Sequence, residues 1–239
     1  MTQQASPSII EVNTFRPQVI RIGNQQTPVI IIDDFAKDLS TLRQVAANST
    51  FEQQDSSYYP GVRAPLPQSY PIEVINQVFQ LIYDVYAIPK HLRIKPQNWV
   101  FSLISQAPAT LMPLQRLPHF DTPDPFHFAI LHYLNDAPYG ATGFFRHKST
   151  GYERINQQNI DHYFDSANAF LTQHKQATPS YFTDSDEHYE LYEQIAYKAN
   201  RLVIYPGSLL HSTLVNPATD IDSSVHTGRL TANIFLQFS

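Results

Sequence analysis

Apolar residues follow two regimes along this chain. Up to about residue 95 they recur mostly at helical spacing. From Trp99 onward they gather in short dense runs broken by turn residues. In the first regime "PVIII" (28–32) is β-branched and bounded by Pro and by Asp33-Asp34, which predicts a buried strand. Leu39, Leu42, Val45 and Ala46 then fall at helical spacing, with Asp38 near the start. A second helix is expected over 71–87, where Ile72, Ile75, Phe79, Ile82 and Tyr86 mark one stripe. Pro71 suits its first turn and Pro89 lies beyond its end. Residues 1–18 read as a polar lead-in. Between the helices, "SSYYPGVRAPLPQSY" (56–70) is rich in Pro and Tyr and reads as a fixed loop. It either walls a cleft or packs on the surface through its own aromatics.

In the second regime "NWVFSLIS", "FHFAILHYL", "RLVIYP", "STLVN" and "RLTANIFLQF" are β-branched and aromatic, with Pro, Gly, Asn and Asp between them. Short strands punctuated in this way predict an antiparallel sandwich or barrel. The class is therefore α+β, mainly β. Residues 156–200 depart from the pattern. "NIDHYFDSANAFLTQH" and "DSDEHYELYEQIAYKAN" both read as helical, the second opening on carboxylates that favour a helix N-terminus. They are expected to form a helical insertion between two strands, covering the mouth of the sheet. One domain spans 1–239, with a helix-and-strand part over 1–95 and a β core over 96–239.

Composition narrows the chemistry. Of 239 residues, 42% are hydrophobic, enough to build a core, and only 15% are charged. A net charge of −5 with no dense basic run argues against a nucleic-acid partner. There is no cysteine, so a metal would have to be held by nitrogen and oxygen, which ten histidines allow. The first ten residues lack a basic n-region and apolar h-region, and no apolar run is long enough for a bilayer. A soluble cytoplasmic protein without a membrane partner is expected. Its oligomeric state is open, a homodimer included.

Candidate chemistry starts with His119 and Asp121 in "LPHFDTP" and His211 in "PGSLLHSTL". Residues two apart on an extended segment share a face, and Pro118 and Pro123 favour extension. A second histidine from a neighbouring strand would complete two imidazoles and one carboxylate. That set holds a divalent iron by one face. Singly, each residue has a plainer explanation: a His–Asp hydrogen bond, or a satisfied core histidine. Arg229 adds to the set. On a strand, Arg229, Thr231 and Asn233 face one way and Leu230, Ala232, Ile234 and Leu236 the other. An arginine turned into an apolar barrel needs an anion, such as a carboxylate received bidentately. The alternatives are that it snorkels to the rim or pairs with an internal acid. His127 and Arg146 are substrate-side candidates, each with a structural or surface role as its alternative. His132 has the opposite strand parity to His127 and reads as structural.

Taken together, these segments resemble the iron(II)- and 2-oxoglutarate-dependent dioxygenases, in particular the prolyl-4-hydroxylase-like branch. "LPHFDTP" is similar to its His-x-Asp motif, "FAILHYLND" to its Tyr-Leu-Asn strand, and "YGATGFFRH" to its Gly-Gly-x-Thr-x-Phe turn. "NRLVIYPGSLLHSTLVN" resembles the distal-histidine segment and "GRLTANIFLQF" the closing strand with the cosubstrate arginine. The turn here reads Gly-Ala-Thr-Gly, and the interval from His211 to Arg229 is lengthened by "NPATDIDSSVHTG". The resemblance implies a double-stranded β-helix, or jelly roll, flanked by N-terminal helices. It implies Fe(II) on His119, Asp121 and His211. 2-Oxoglutarate would lie on Arg229, with Tyr133 and Thr231 adding hydrogen bonds. The reaction implied is hydroxylation of a small molecule, amino acid or protein side chain, with succinate and carbon dioxide released. The alternative is a cupin-like metal-binding jelly roll that is non-catalytic or reacts differently.

Overall fold

The computed structural model describes residues 9–54, 58–136, 138–173 and 178–239. Seven strands form its main antiparallel sheet: β1 (Gln18–Ile22), β2 (Thr27–Ile32), β3 (Gly61–Pro65), β4 (Ile94–Ile104), β5 (His127–Tyr133), β8 (Leu202–Pro206) and β10 (Thr231–Phe238). They run in the order β1-β2-β8-β5-β10-β4-β3. A smaller sheet has the order β7-β6-β9, from Tyr189–Ile195, Thr142–His147 and His211–Thr213. Three helices accompany them: α1 (Ser40–Ala47), α2 (Ser69–Val85) and α3 (Ile160–Gln173).

The central strands are apolar without alternation because the main sheet is covered on both faces. One face packs on α1 and α2. Phe128, Ile130, Leu202, Ile204, Ala232, Ile234 and Leu236 meet Leu42, Ala46, Val74, Val78 and Ile82 there. The other face carries Ala129, Leu131, Tyr133, Val203 and Tyr205, and packs on Phe144 and Ile195 of the smaller sheet. Register sets a polar row across this inner face. Arg63 lies opposite Ser102, Ser102 opposite Thr231, and Thr231 opposite Tyr133. Residues directly opposite in an antiparallel pair share a face. Four strands therefore deliver one line of polar groups into the space between the sheets.

Four expectations need correction. First, 184–200 is not helical: Tyr189–Ile195 is β7, bonded along β6. The carboxylate of Asp186 caps the backbone N–H groups of His188 and Tyr189, so its acidic lead makes a turn into a strand instead of a helix start. Second, α2 buries Tyr70, Pro71, Val74, Val78 and Ile82, whereas Ile72 and Phe79 are exposed. The helix carries two overlapping apolar stripes, and the sheet takes the one with the compact valines. Third, the Pro/Tyr-rich loop contains edge strand β3, with residues 55–57 just before it outside the described residues. Fourth, the lead-in is not wholly polar. Ile10 is buried on the helix side and β1 begins at Gln18, while residues 1–8 lie outside the described residues.

Candidate metal centre

His119 and His211 face each other across a short antiparallel bridge. The His119 N–H donates to the His211 carbonyl at 2.9 Å, and the reverse bond is 2.8 Å. This closely spaced pair puts both rings on one side, with centroids 4.4 Å apart. Two residues on, the Asp121 N–H donates to the Gly207 carbonyl at 2.7 Å, which keeps the segment extended and Asp121 beside the same face. One ligand atom from each of His119, Asp121 and His211 lies within 4.8 Å of the others. The His-x-Asp pair and the distal histidine thus lie together.

The donor set suits a borderline divalent transition-metal ion. His211 Nδ1 is 2.8 Å from the Leu209 carbonyl, which can only accept, so Nδ1 carries the proton and Nε2 keeps its lone pair. Nε2 lies 3.9 Å from Asp121 Oδ1. The His119 ring is held below the usual histidine pKa by its packing, then by His211 and by the Arg63 guanidinium. His119 is an exposed residue, so water moderates that displacement without reversing it. Two imidazoles and one carboxylate on one side match the ligand set of a facial triad.

Arg229 occupies the same inner face. It is 2% exposed, and its Nε donates to the Gly140 carbonyl at 3.1 Å. Its one hydrogen bond among the described residues is to that carbonyl, and Nη2 is buried without a hydrogen-bond partner. Its guanidinium is 5.5 Å from the Tyr133 ring and 5.4 Å from that of Tyr197. The Tyr133 hydroxyl meets Thr142 Oγ1 at 2.8 Å, and Thr231 is cross-strand from Tyr133. A buried cation with an idle N–H has the chemistry to receive an anion. The lengthened 216–228 loop does not displace it. Asp220 is buried and accepts from the N–H groups of Gly140 and Asn216, pinning the loop to the turn that also holds Arg229.

The two substrate-side candidates part company. His127 lies close to Asp121, with both side chains crowding over Gly207. Arg146 pairs with the buried Glu153 at 2.6 Å and with Glu190, and not with a residue of the triad. Tyr205, Tyr59 and Arg63 emerge only in three dimensions. The Tyr205 ring is 5.0 Å from that of His211, and burial, followed by the charge of Asp121, pushes its phenol well above the ordinary value. Arg63 stacks 4.3 Å from the Tyr59 ring and lies near enough to Asp121 to feel its charge. Strand parity with Val203 was the available signal for Tyr205. Arg63 and Tyr59 were hidden in what read as a loop.

A single family model spans residues 13–236. The chain belongs to that family, a family of unknown function (DUF6445). No curated protein matches this DUF6445 chain in sequence. Among solved structures it is similar to HygX from Streptomyces hygroscopicus, crystallised with nickel, 2-oxoglutarate and hygromycin B bound. Identity is 9%, coverage 89% of this chain and 84% of that one, and the TM-score 0.50. AviO1 from Streptomyces viridochromogenes Tue57 aligns over 95% of this chain and 90% of its own, with 10% identity and a TM-score of 0.42. The HygX likeness is one of fold. No helix among the described residues is long and apolar enough to cross a membrane.

Proposed function

We propose that this DUF6445 chain is an Fe(II)- and 2-oxoglutarate-dependent oxygenase that hydroxylates a C–H bond of a small molecule, amino acid or protein side chain. Its two sheets would be those of a double-stranded β-helix on the prolyl-4-hydroxylase-like pattern. The observation that carries the reading is the pairing of two features on one inner space: a convergent His119–Asp121–His211 set and a buried Arg229 whose Nη2 has no partner. The fold likeness to a protein crystallised with 2-oxoglutarate and a divalent metal supports it. A cupin-like binder would account for the triad but not for the buried arginine.

When bound, Fe(II) and 2-oxoglutarate would activate dioxygen, one oxygen atom entering succinate as carbon dioxide leaves and the other being delivered to the C–H bond. The chain's own residues hold and orient. His119 and His211 present neutral nitrogens and Asp121 an oxygen. Arg229 receives the distal carboxylate, its cationic charge buried until then. Tyr133 and Thr231 border that carboxylate, and the Tyr133–Thr142 contact fixes the phenol's direction. The apolar residues of both sheets exclude water around these groups.

The test is anaerobic titration with Fe(II) and 2-oxoglutarate, followed by visible absorption. The expected result is a charge-transfer band that disappears in His211→Ala. Arg229→Gln should raise the 2-oxoglutarate Kd by roughly 100-fold, about the 3 kcal/mol of a charge-assisted bond. Absence of a band in the intact protein would refute the proposal. Unchanged cosubstrate affinity in Arg229→Gln would refute the anchor.

A further inference from the structure

His127 is 9% exposed, and its Nδ1 is buried with no hydrogen-bond partner. A buried polar nitrogen left in this state calls for a reason. Its surroundings provide one. The Gly207 N–H donates to the His127 carbonyl at 2.9 Å, and the Gly207 carbonyl accepts from the Asp121 N–H at 2.7 Å. Gly207 is therefore the middle of three neighbouring backbone lanes, with His127 on one side and Asp121 on the other. It has no side chain to keep them apart. His127 Nδ1 and Asp121 Oδ2 both reach within 3.0 Å of the point where a Cβ on Gly207 would stand. The other carboxylate oxygen, Oδ1, is the one that faces His211 Nε2. Phe235, its ring stacked 6.2 Å from the imidazole, limits where the His127 ring can go.

Resting on the metal-centre reading above, we propose that His127 is a positioning residue for that centre. In the ion-loaded site its Nδ1–H, unpartnered here, donates to Asp121 Oδ2 across Gly207, which turns Oδ1 toward the ion as a single-oxygen ligand. A carboxylate oriented by a donor on its far oxygen loses less rotational freedom on binding. Partners of this kind are typically worth 10- to 100-fold in metal affinity. Gly207 has a role in this arrangement: any side chain there would occupy the meeting place of the two groups.

The experiment measures Mn(II) binding from the loss of the free-ion electron paramagnetic resonance signal, with no cosubstrate present. Circular dichroism melts report whether each variant is folded. His127→Phe keeps the packing on Phe235 and lacks the donor, so its Kd should rise between about 10- and 100-fold. His127→Asn places an amide N–H where Nδ1 stands and should stay within about threefold of the parent, whereas His127→Gln, with its amide further out, should resemble His127→Phe. Gly207→Ala, which retains the histidine, should also weaken Mn(II). Equal affinity in His127→Phe and the parent overturns the proposal. So does an equal loss in His127→Asn and His127→Phe, since packing alone would then be responsible. A parent protein that binds no Mn(II) removes the metal-centre reading and this one with it, a result distinct from a parent that binds and variants that do not differ.

Discussion

Histidine burial is the residue-scale theme of this protein. His127, His132 and His147 are all displaced downward, in each case first by desolvation. His132 is the clearest. It is fully buried on the helix side, with Nδ1 2.8 Å from the Tyr70 hydroxyl and Nε2 3.1 Å from Asn200 Oδ1, and its pKa falls to about 4. One neutral tautomer satisfies both contacts, taking the Tyr70 proton at Nδ1 and donating from Nε2. Unfolded, a histidine titrates near 6.5. Between those values the unfolded chain binds more protons, so stability rises with pH across the window and is lost as pH falls from about 6.5 to 4. The loss from His132 alone should be on the order of 3 kcal/mol. Urea unfolding at pH 7 and pH 4.5 checks it, and His132→Asn should flatten the dependence; equal slopes in the two proteins would exclude His132 as its source. The parity of the "FHFAILHY" run already separated His132 from His127, because a strand's period of two is a property of the backbone. The contacts of His132 were not legible, since Tyr70 and Asn200 are distant in sequence.

Elements were legible to the extent that one period dominated. β5 and β10 follow their apolar runs, and α1 follows its spacing. In β7 the tyrosines and glutamates fit either a helix or a strand over so short a stretch, and pairing with β6 decides for the strand. In α2 the element was legible and its buried face was not. Val78→Ala should destabilise by about 2 kcal/mol, since the valine is fully buried against the sheet. Ile72→Gln, at a residue 52% exposed, should change stability by less than about 0.5 kcal/mol. Denaturant midpoints at constant m-value measure both, and a larger effect at Ile72 than at Val78 would reverse the assignment of faces.

At the scale of the whole molecule, the sheets are tied at one end by a buried ion. Glu153 accepts from the N–H groups of Asn24 and Gln25 at 2.8 and 3.0 Å, in the turn between β1 and β2. It also receives Nε and Nη2 of Arg146 from β6 at 2.9 and 2.6 Å. The main and smaller sheets therefore meet through one carboxylate. Arg146 keeps Glu190, but the N–H groups of Asn24 and Gln25 lose their acceptor, so Glu153→Ala should cost about 1–3 kcal/mol. Mn(II) affinity should be nearly unchanged in the fraction that remains folded, because neither Glu153 nor Arg146 is among the three converging ligands. A Glu153→Ala protein as stable as the parent would show that the latch contributes little.

The amino-acid sequence by itself determined what backbone periodicity and residue chemistry control: that the dense apolar runs of β2, β5, β8 and β10 are strands, that His119 and Asp121 share a face, that Arg229 and Thr231 lie opposite the apolar side of β10, and that any metal is held by nitrogen and oxygen. Tertiary structure decided what depends on register and packing between distant segments. It brought His211 alongside His119, set Arg63, Ser102, Thr231 and Tyr133 in one row, turned 189–195 into a strand, and committed Arg146 to Glu153. Local geometry repeats every two or 3.6 residues and can be read from a short window. Convergence of groups from separate strands exists only once hydrogen-bond register and two buried faces have fixed which segment lies beside which.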